Sequence, residues 1–271
     1  MSSNNIKRHS FDIFQKSHKI FIEGHRGANR EFFENTLESF KQAIKYNIDS
    51  VELDVWLTKD KIPIVIHGGY MGYLFGYFKN ISLFSYPTDF TFEEISKLEF
   101  RDSKEKIPSL HDVLCLCKDK IFLNIELKDP NTYETFNQVI KLIEDKKMIN
   151  QISITSFNIN YYNLISKYNL SHEEKIEFGR IYDSSWISFF SFMKFDFSIK
   201  NICLNIYHKE ITKEIIEKAH DNGNAVMAWF KMKDEENEDI YKYLFDCGID
   251  VITCNEPNKA KEFRDNKYYK N

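Results

Sequence analysis

The sequence predicts an α/β fold, a (β/α)8 (TIM) barrel with a small insertion following His67. Three observations predict it. Extended and helical patterns alternate almost throughout the 271 residues. The nine extended runs reduce to eight once a short turn at Lys59–Lys61 makes one of them the return arm of a hairpin. Finally, charged residues and histidines gather at the ends of the early strands, where barrels build their sites. A doubly wound sheet is the alternative, but no glycine-rich nucleotide fingerprint follows the first strand.

The elements follow in order. Lys19–Glu23 reads as a strand, and Glu34–Tyr46 as a helix with Leu37, Phe40, Ala43 and Ile44 on one face. Ser50–Leu57 is the second strand, and Ile62–His67 is its return arm. After an irregular stretch come helix Ser109–Cys117, strand Ile121–Leu127 and helix Tyr133–Asp145. Strand Ile152–Phe157, helix Tyr161–Lys167 and strand Lys175–Tyr182 precede an aromatic segment, Trp186–Phe197, of less definite pattern. The chain then runs through strand Asn201–Tyr207, helix Thr212–Asn222, strand Ala225–Phe230, helix Glu236–Cys247, strand Val251–Cys254 and helix Asn258–Asp265. Gly223 and Gly248 close two of these helices at the position that favours a left-handed backbone. The expected organisation is an N-terminal extension, residues 1–18, and a barrel over 19–271 interrupted by the insertion at about 68–108. That insertion is rich in aromatics, among them Tyr73, Tyr77, Phe78, Phe90 and Phe100. Its length predicts a small packed unit rather than a bare loop.

Composition narrows the function. With 42% hydrophobic residues the chain can bury a full core, and a net charge of −4 gives no basic footprint for nucleic acid. Five cysteines follow no zinc or redox spacing and read as reduced core thiols of a cytoplasmic protein. The first fourteen residues lack the apolar run of a signal peptide. The most apolar stretch, Trp186–Phe197, is far shorter than the ~20 residues of a membrane span. The aromatic insertion leaves room for weak contact with a membrane surface. Only nine glycines occur, and six of them fall around His25 and after His67.

Strand-end polar residues carry the chemistry. Glu52 and Asp54 stand two apart on the second strand, and Glu126 and Lys128 two apart on the next, so each pair shares a face. His25 and Arg26 follow the first strand, and the hairpin returns His67 toward Asp54. Three carboxylates suit one hard divalent cation, Mg²⁺ or Ca²⁺, better than zinc. Two histidines can divide acid and base duties, while Arg26 and Lys128 offer charge to a phosphate. Each histidine alone reads as a structural residue, and the flanking glycines tip the balance toward function. The remaining histidines, His9, His18, His111, His172, His208 and His220, read as surface or helix residues.

These residues resemble the glycerophosphodiester phosphodiesterase family. His25-Arg26-Gly27 with Glu34-Asn35-Thr36 matches its opening, and Glu52-Leu53-Asp54-Val55 with Pro63–His67 its second block. Ile107–Leu110, Asn124–Lys128, Trp229 and Gly248–Thr253 with Pro257 match the later blocks. The resemblance implies metal-dependent hydrolysis of a glycerophosphodiester to glycerol 3-phosphate and an alcohol. By position, Glu52, Asp54 and Glu126 would bind the metal, and His25 and His67 would be acid and base. Arg26, Lys128 and Trp229 would hold the substrate. Two departures stand out: Phe33 replaces a common proline, and Gly68 follows His67 where most members have Asp. If that Asp orients the histidine or assists the metal, the expectation here is either reduced activity or support from elsewhere. A lysophospholipase D-like activity, served by the aromatic segments, and a catalytically silent binding barrel are the competing expectations.

Overall fold

The computed structural model describes residues 19–68, 74, 77–79, 81–82, 84–182 and 195–270. Nine strands form one sheet: β1 (Phe21–Gly24), β2 (Ser50–Leu57), β3 (Pro63–Val65), β4 (Phe122–Leu127), β5 (Ile152–Ser156), β6 (Glu177–Tyr182), β7 (Cys203–Tyr207), β8 (Ala225–Trp229) and β9 (Val251–Cys254). All except β3 run parallel, and β1 pairs with both β2 and β9, which closes the eight-stranded barrel. β3 is antiparallel to β2, with Val55 opposite Val65, so the hairpin that reduces nine runs to eight is present. Ile66 N–H donates to Asp54 O at 3.0 Å, and this carries the chain back to the barrel mouth at His67.

Helices α1 (Leu37–Tyr46), α2 (Phe92–Ser96), α3 (Leu110–Cys117), α4 (Thr132–Asp145), α5 (Asn160–Ser171), α6 (Lys213–Asp221), α7 (Glu238–Asp246) and α8 (Pro257–Phe263) complete the described fold. Side-chain caps start several of them. Thr36, Ser109, Thr212 and Asn237 each accept a backbone N–H from the first helical turn, satisfying a donor that the helix itself cannot. Gly223 and Gly248 have φ of +76° and +91°, as expected for residues just past a helix end. Most of Trp186–Phe197 lies outside the described residues, and between β6 and β7 no helix lies among the described ones.

Two helices start two or three residues later than the sequence expectation, and for the same reason. Glu34 and Asn35 precede α1 instead of opening it, because their side chains turn inward to Arg26 and Asp54. Glu236 likewise lies outside α7, its carboxylate held by the backbone and side chain of Asn255. Tertiary hydrogen bonds at the barrel mouth have taken the place of helical ones.

Alternation along the strands separates two environments. In β2, Val51, Leu53 and Val55 pack outward in the main core with Leu114, Leu123 and Ile125, while Ser50, Glu52 and Asp54 turn into the barrel. A small cluster of Phe21, Cys203, Ala225, Met227 and Val251 forms a separate apolar layer. Above it, Glu23 accepts hydrogen bonds from Ser50, Asn124 and Thr253, which compensate a buried carboxylate. The insertion has its own core, in which Phe78, Ile95, Phe100 and Ile107 pack against Trp56, Ile64 and Ile66 of the hairpin. Its described aromatics therefore hold a subdomain together, although Phe84 is exposed; Tyr70, Tyr73 and Phe75 lie outside the described residues. Among the described helices, none is long and apolar enough to cross a membrane. Four cysteines are buried, and Cys115 departs from the expected core position by facing solvent.

Gly179 shows how tightly the barrel interior is filled. A Cβ there would lie 2.6 Å from the Thr155 methyl and 3.1 Å from Asn205 Oδ1, both on adjacent strands. Gly179→Val is therefore expected to cost about 1–3 kcal/mol of stability in denaturant unfolding. An unchanged unfolding midpoint would contradict this packing.

Candidate active site

The C-terminal ends of the strands surround a cavity of about 270 Å³. All of the sequence-predicted site residues except Asp54 line it, and Asp54 lies fully buried among them. Parallel register brings the carboxylates together: Asp54 on β2 is the direct neighbour of Glu126 on β4, and Glu52 stands one inward-facing position below. One oxygen from each of Glu52, Asp54 and Glu126 lies within 4.8 Å of the others.

Like charges this close require compensation. Asp54 receives Lys128 Nζ at 3.2 Å on one oxygen and Arg26 Nε at 3.3 Å on the other. Asn35 Nδ2 donates to Asp54 at 2.8 Å, and Asn35 Oδ1 accepts the Asp54 backbone N–H. Burial alone would push the Asp54 carboxyl upward, but Lys128, His67 and Arg26 outweigh it and hold the group well below the usual carboxylate range. Glu52 and Glu126 go the other way. Burial, reinforced for Glu52 by Asp54 and Glu126, raises their pKa. Glu126 accepts from Lys128 Nζ at 2.8 Å, and Glu52 accepts the Arg26 backbone N–H at 2.9 Å.

Arg26 links the layers. Its backbone is left-handed, with φ +54°, inside the turn that Gly24 and Gly27 permit. At Gly27, with φ +87°, a Cβ would strike Ser39 Oγ at 2.3 Å. From that turn the guanidinium reaches Glu34 at 2.8 Å as well as Asp54. Tyr77, from the insertion, donates its hydroxyl to the other Glu34 oxygen at 2.6 Å.

Both histidines face the cavity. His25 Nδ1 lies 2.9 Å from Asn255 Oδ1, and its pKa is pushed down to about 3, first by burial and then by Arg26. His67 is lowered well below its ordinary value by burial, Arg26 and Lys128. Its Nδ1 hydrogen-bonds the carbonyl of Gly68, whose φ is +74°. The main chain thus orients His67 at the position where the family pattern places Asp. Trp229 donates Nε1–H to Tyr182 O at 3.2 Å and packs on Tyr207, which fixes its ring at the rim.

The structure adds residues that the sequence reading did not assign. Glu34 and Asn35 belonged to a recognised motif without a role, and here they clasp Arg26 and Asp54. Asn255 directly follows β9, and its position at a strand end was the available signal. Lys231, from the segment after β8, also lines the cavity and lies 4.6 Å from the Tyr207 ring centre. His208, expected as a surface or helix residue, is instead buried. It stacks on Phe230 at 4.1 Å with Nε2 3.4 Å from Asp234, because it follows β7 directly in a tight turn.

Paired histidines, fixed cations and converging carboxylates at the mouth of a (β/α)8 barrel define a phosphodiester-cleaving class of enzyme. Comparison with known proteins agrees. The model of the Glycerophosphoryl diester phosphodiesterase family matches residues 25–259, and the chain belongs to this family of phosphoric diester hydrolases. It is 29% identical over 251 residues to a glycerophosphodiester phosphodiesterase of Caldanaerobacter subterraneus subsp. tengcongensis, covering 88% of this chain and 95% of that protein. It is 26% identical over 262 residues to a glycerophosphodiester phosphodiesterase of Bacillus altitudinis, covering 91% and 98%. Among solved structures, the Thermotoga maritima glycerophosphodiester phosphodiesterase superposes with a TM-score of 0.66 at 24% identity, covering 91% of this chain and 99% of that one. An Oleispira antarctica phosphodiesterase, solved with the product sn-glycerol-3-phosphate, gives 0.69 at 22%, covering 91% and 97%.

Removing the Arg26 charge leaves Glu34 and Asp54 short of a partner in a buried place. Arg26→Met is expected to lower the stability of the metal-free protein by about 3 kcal/mol or more. A variant that unfolds at the wild-type midpoint would contradict the bridging role of this side chain.

Proposed function

We propose that this chain hydrolyses glycerophosphodiesters to glycerol 3-phosphate and an alcohol, with one divalent cation, Mg²⁺ or Ca²⁺, held by Glu52, Asp54 and Glu126. The observation that carries the reading is the state of those carboxylates. Glu52 Oε1 is buried without a hydrogen-bond donor, and Asp54 Oδ1 beside it has only the Lys128 ammonium at 3.2 Å, which Glu126 shares. The three carboxylates thus remain short of positive charge, an arrangement that is costly unless another positive group completes it. Oxygen-only ligands of this kind suit a hard cation. Such an ion, when bound, withdraws charge from the phosphate oxygens. The product named for the Oleispira antarctica structure is the product expected here.

Arg26 and Lys128 orient the phosphate, and Trp229 lies against the rest of the substrate. His25 and His67 handle protons. One removes the proton from the glycerol hydroxyl as its oxygen attacks phosphorus, and the other gives a proton to the departing alkoxide. The cyclic phosphate then opens when water attacks phosphorus, with the two histidines exchanging roles. A depressed resting pKa favours the neutral imidazole in the histidine that acts as base, while the histidine that acts as acid takes up its proton once the anionic phosphate lies beside it. Free cysteines suit action in the reducing cytoplasm.

A human lysophospholipase D is 24% identical over 292 residues, covering 94% of this chain and 90% of that protein, so acylated substrates belong in the test. Glycerophosphocholine, glycerophosphoethanolamine, glycerophosphoglycerol and lysophosphatidylcholine would be assayed with each cation. The expected result is alcohol release from deacylated substrates, abolished by chelation and lowered about 10²–10⁴-fold in His25→Ala and His67→Ala. Release that survives both chelator and His25→Ala would contradict the mechanism. Preference for the acylated substrate would move the assignment to a lysophospholipase D, and no turnover of any substrate would favour a binding protein. Independently, Mg²⁺ at about 100 times its dissociation constant should add ~2.7 kcal/mol to unfolding stability. That gain is expected to vanish in Glu52→Gln, and its persistence there would contradict the assigned ligands.

A further inference from the structure

His25 is held by a chain of buried polar groups drawn from three separate loops at the barrel mouth. Asn255, fully buried just past β9, sits at its centre. Its Nδ2 donates to Lys231 O at 3.0 Å, which has no hydrogen to give, and to Glu236 Oε1 at 2.6 Å, an oxygen that also accepts the Asn255 backbone N–H. Its Oδ1 faces Asn29 Nδ2 at 2.9 Å and His25 Nδ1 at 2.9 Å. Asn29 Nδ2 in turn donates to His25 O at 2.6 Å. These partners allow only one orientation of the Asn255 amide. Its oxygen must face His25, and His25 Nδ1 must therefore carry the hydrogen.

Glu236 secures the other end. Its carboxylate accepts the backbone N–H groups of Asn255 and Glu256 and the hydroxyl of Tyr241 at 2.9 Å. These donors fix both carboxylate oxygens, and with them the Asn255 amide.

Building on the proposed reaction, we propose that Asn255 and Glu236 are positioning residues that hold His25 as its Nδ1–H tautomer and so make Nε2 the nitrogen that exchanges protons with substrate. In the step where His25 acts as base, the hydroxyl O–H bond breaks and an Nε2–H bond forms. The Nδ1–H bond stays in place throughout. The imidazolium that results is met by the Asn255 carbonyl dipole, with the Glu236 carboxylate behind it. Rotation of the ring or loss of the tautomer would present N–H where a lone pair is needed.

The first test does not depend on turnover. Two-bond ¹⁵N–¹H correlation on histidine-labelled, Mg²⁺-loaded wild-type protein reports which ring nitrogen of His25 carries hydrogen. Protonated Nδ1 with unprotonated Nε2 is expected, and the opposite tautomer would overturn the proposal whether or not the assayed substrates are cleaved. In Asn255→Leu, kcat is expected to fall about 10- to 100-fold with KM within about twofold. Asn255→Asp, which sets two carboxylates together and turns an acceptor toward Lys231 O, is expected to be impaired at least as much. Unchanged kcat in Asn255→Leu would overturn the proposal.

Discussion

The charge balance around Asp54 is the constraint on which the mouth of this barrel depends. The carboxylate is fully buried, so its charge persists through Lys128, His67, Arg26 and Asn35. Each of those partners has a consequence elsewhere. Arg26 reaches Asp54 from a left-handed turn that Gly24 and Gly27 make possible, and it carries Glu34 with it. Glu34 then receives Tyr77, so the insertion is tied to the site through one carboxylate. Lys128 brings Glu126 into the same cluster from the neighbouring strand.

The immediate cluster has four carboxylates, Glu34, Glu52, Asp54 and Glu126, against two permanent cations, Arg26 and Lys128. The imbalance is visible in opposite pKa shifts. Asp54, nearest to both cations, is held down, whereas Glu52 and Glu126 are pushed up. A divalent cation would remove that imbalance, and this links the electrostatics of the cluster to the proposed chemistry. Burial first, and then the same cations, lower both histidines, so in the proposed mechanism one arrangement would serve phosphate orientation and base catalysis together.

Much of this was legible in the sequence because it rests on local spacing. Period-two placement put Glu52 with Asp54 and Glu126 with Lys128, and parallel pairing then brought the two couples side by side. The hairpin was legible from the turn at Lys59–Lys61, and the return of His67 followed from its length. What could not be read were contacts closed by the barrel itself. Asn255 meets His25 across 230 residues, and no local pattern distinguishes it from any polar residue after a strand. The same holds for His208, whose burial depends on Phe230, the residue just past the adjacent strand β8. The helix starts at Glu34 and Glu236 were misplaced because each side chain satisfies a tertiary partner in preference to its own helix.

The most direct test of the central claim is to locate a cation crystallographically. Crystals grown with Mn²⁺ and glycerol 3-phosphate, measured at the manganese edge, should show a single anomalous peak among Glu52, Asp54 and Glu126. Its distance to one oxygen of each should be about 2.0–2.6 Å, the range of hard cations on carboxylates. A peak elsewhere in the cavity, or none at saturating Mn²⁺, would contradict the view that these three buried carboxylates exist to hold a metal.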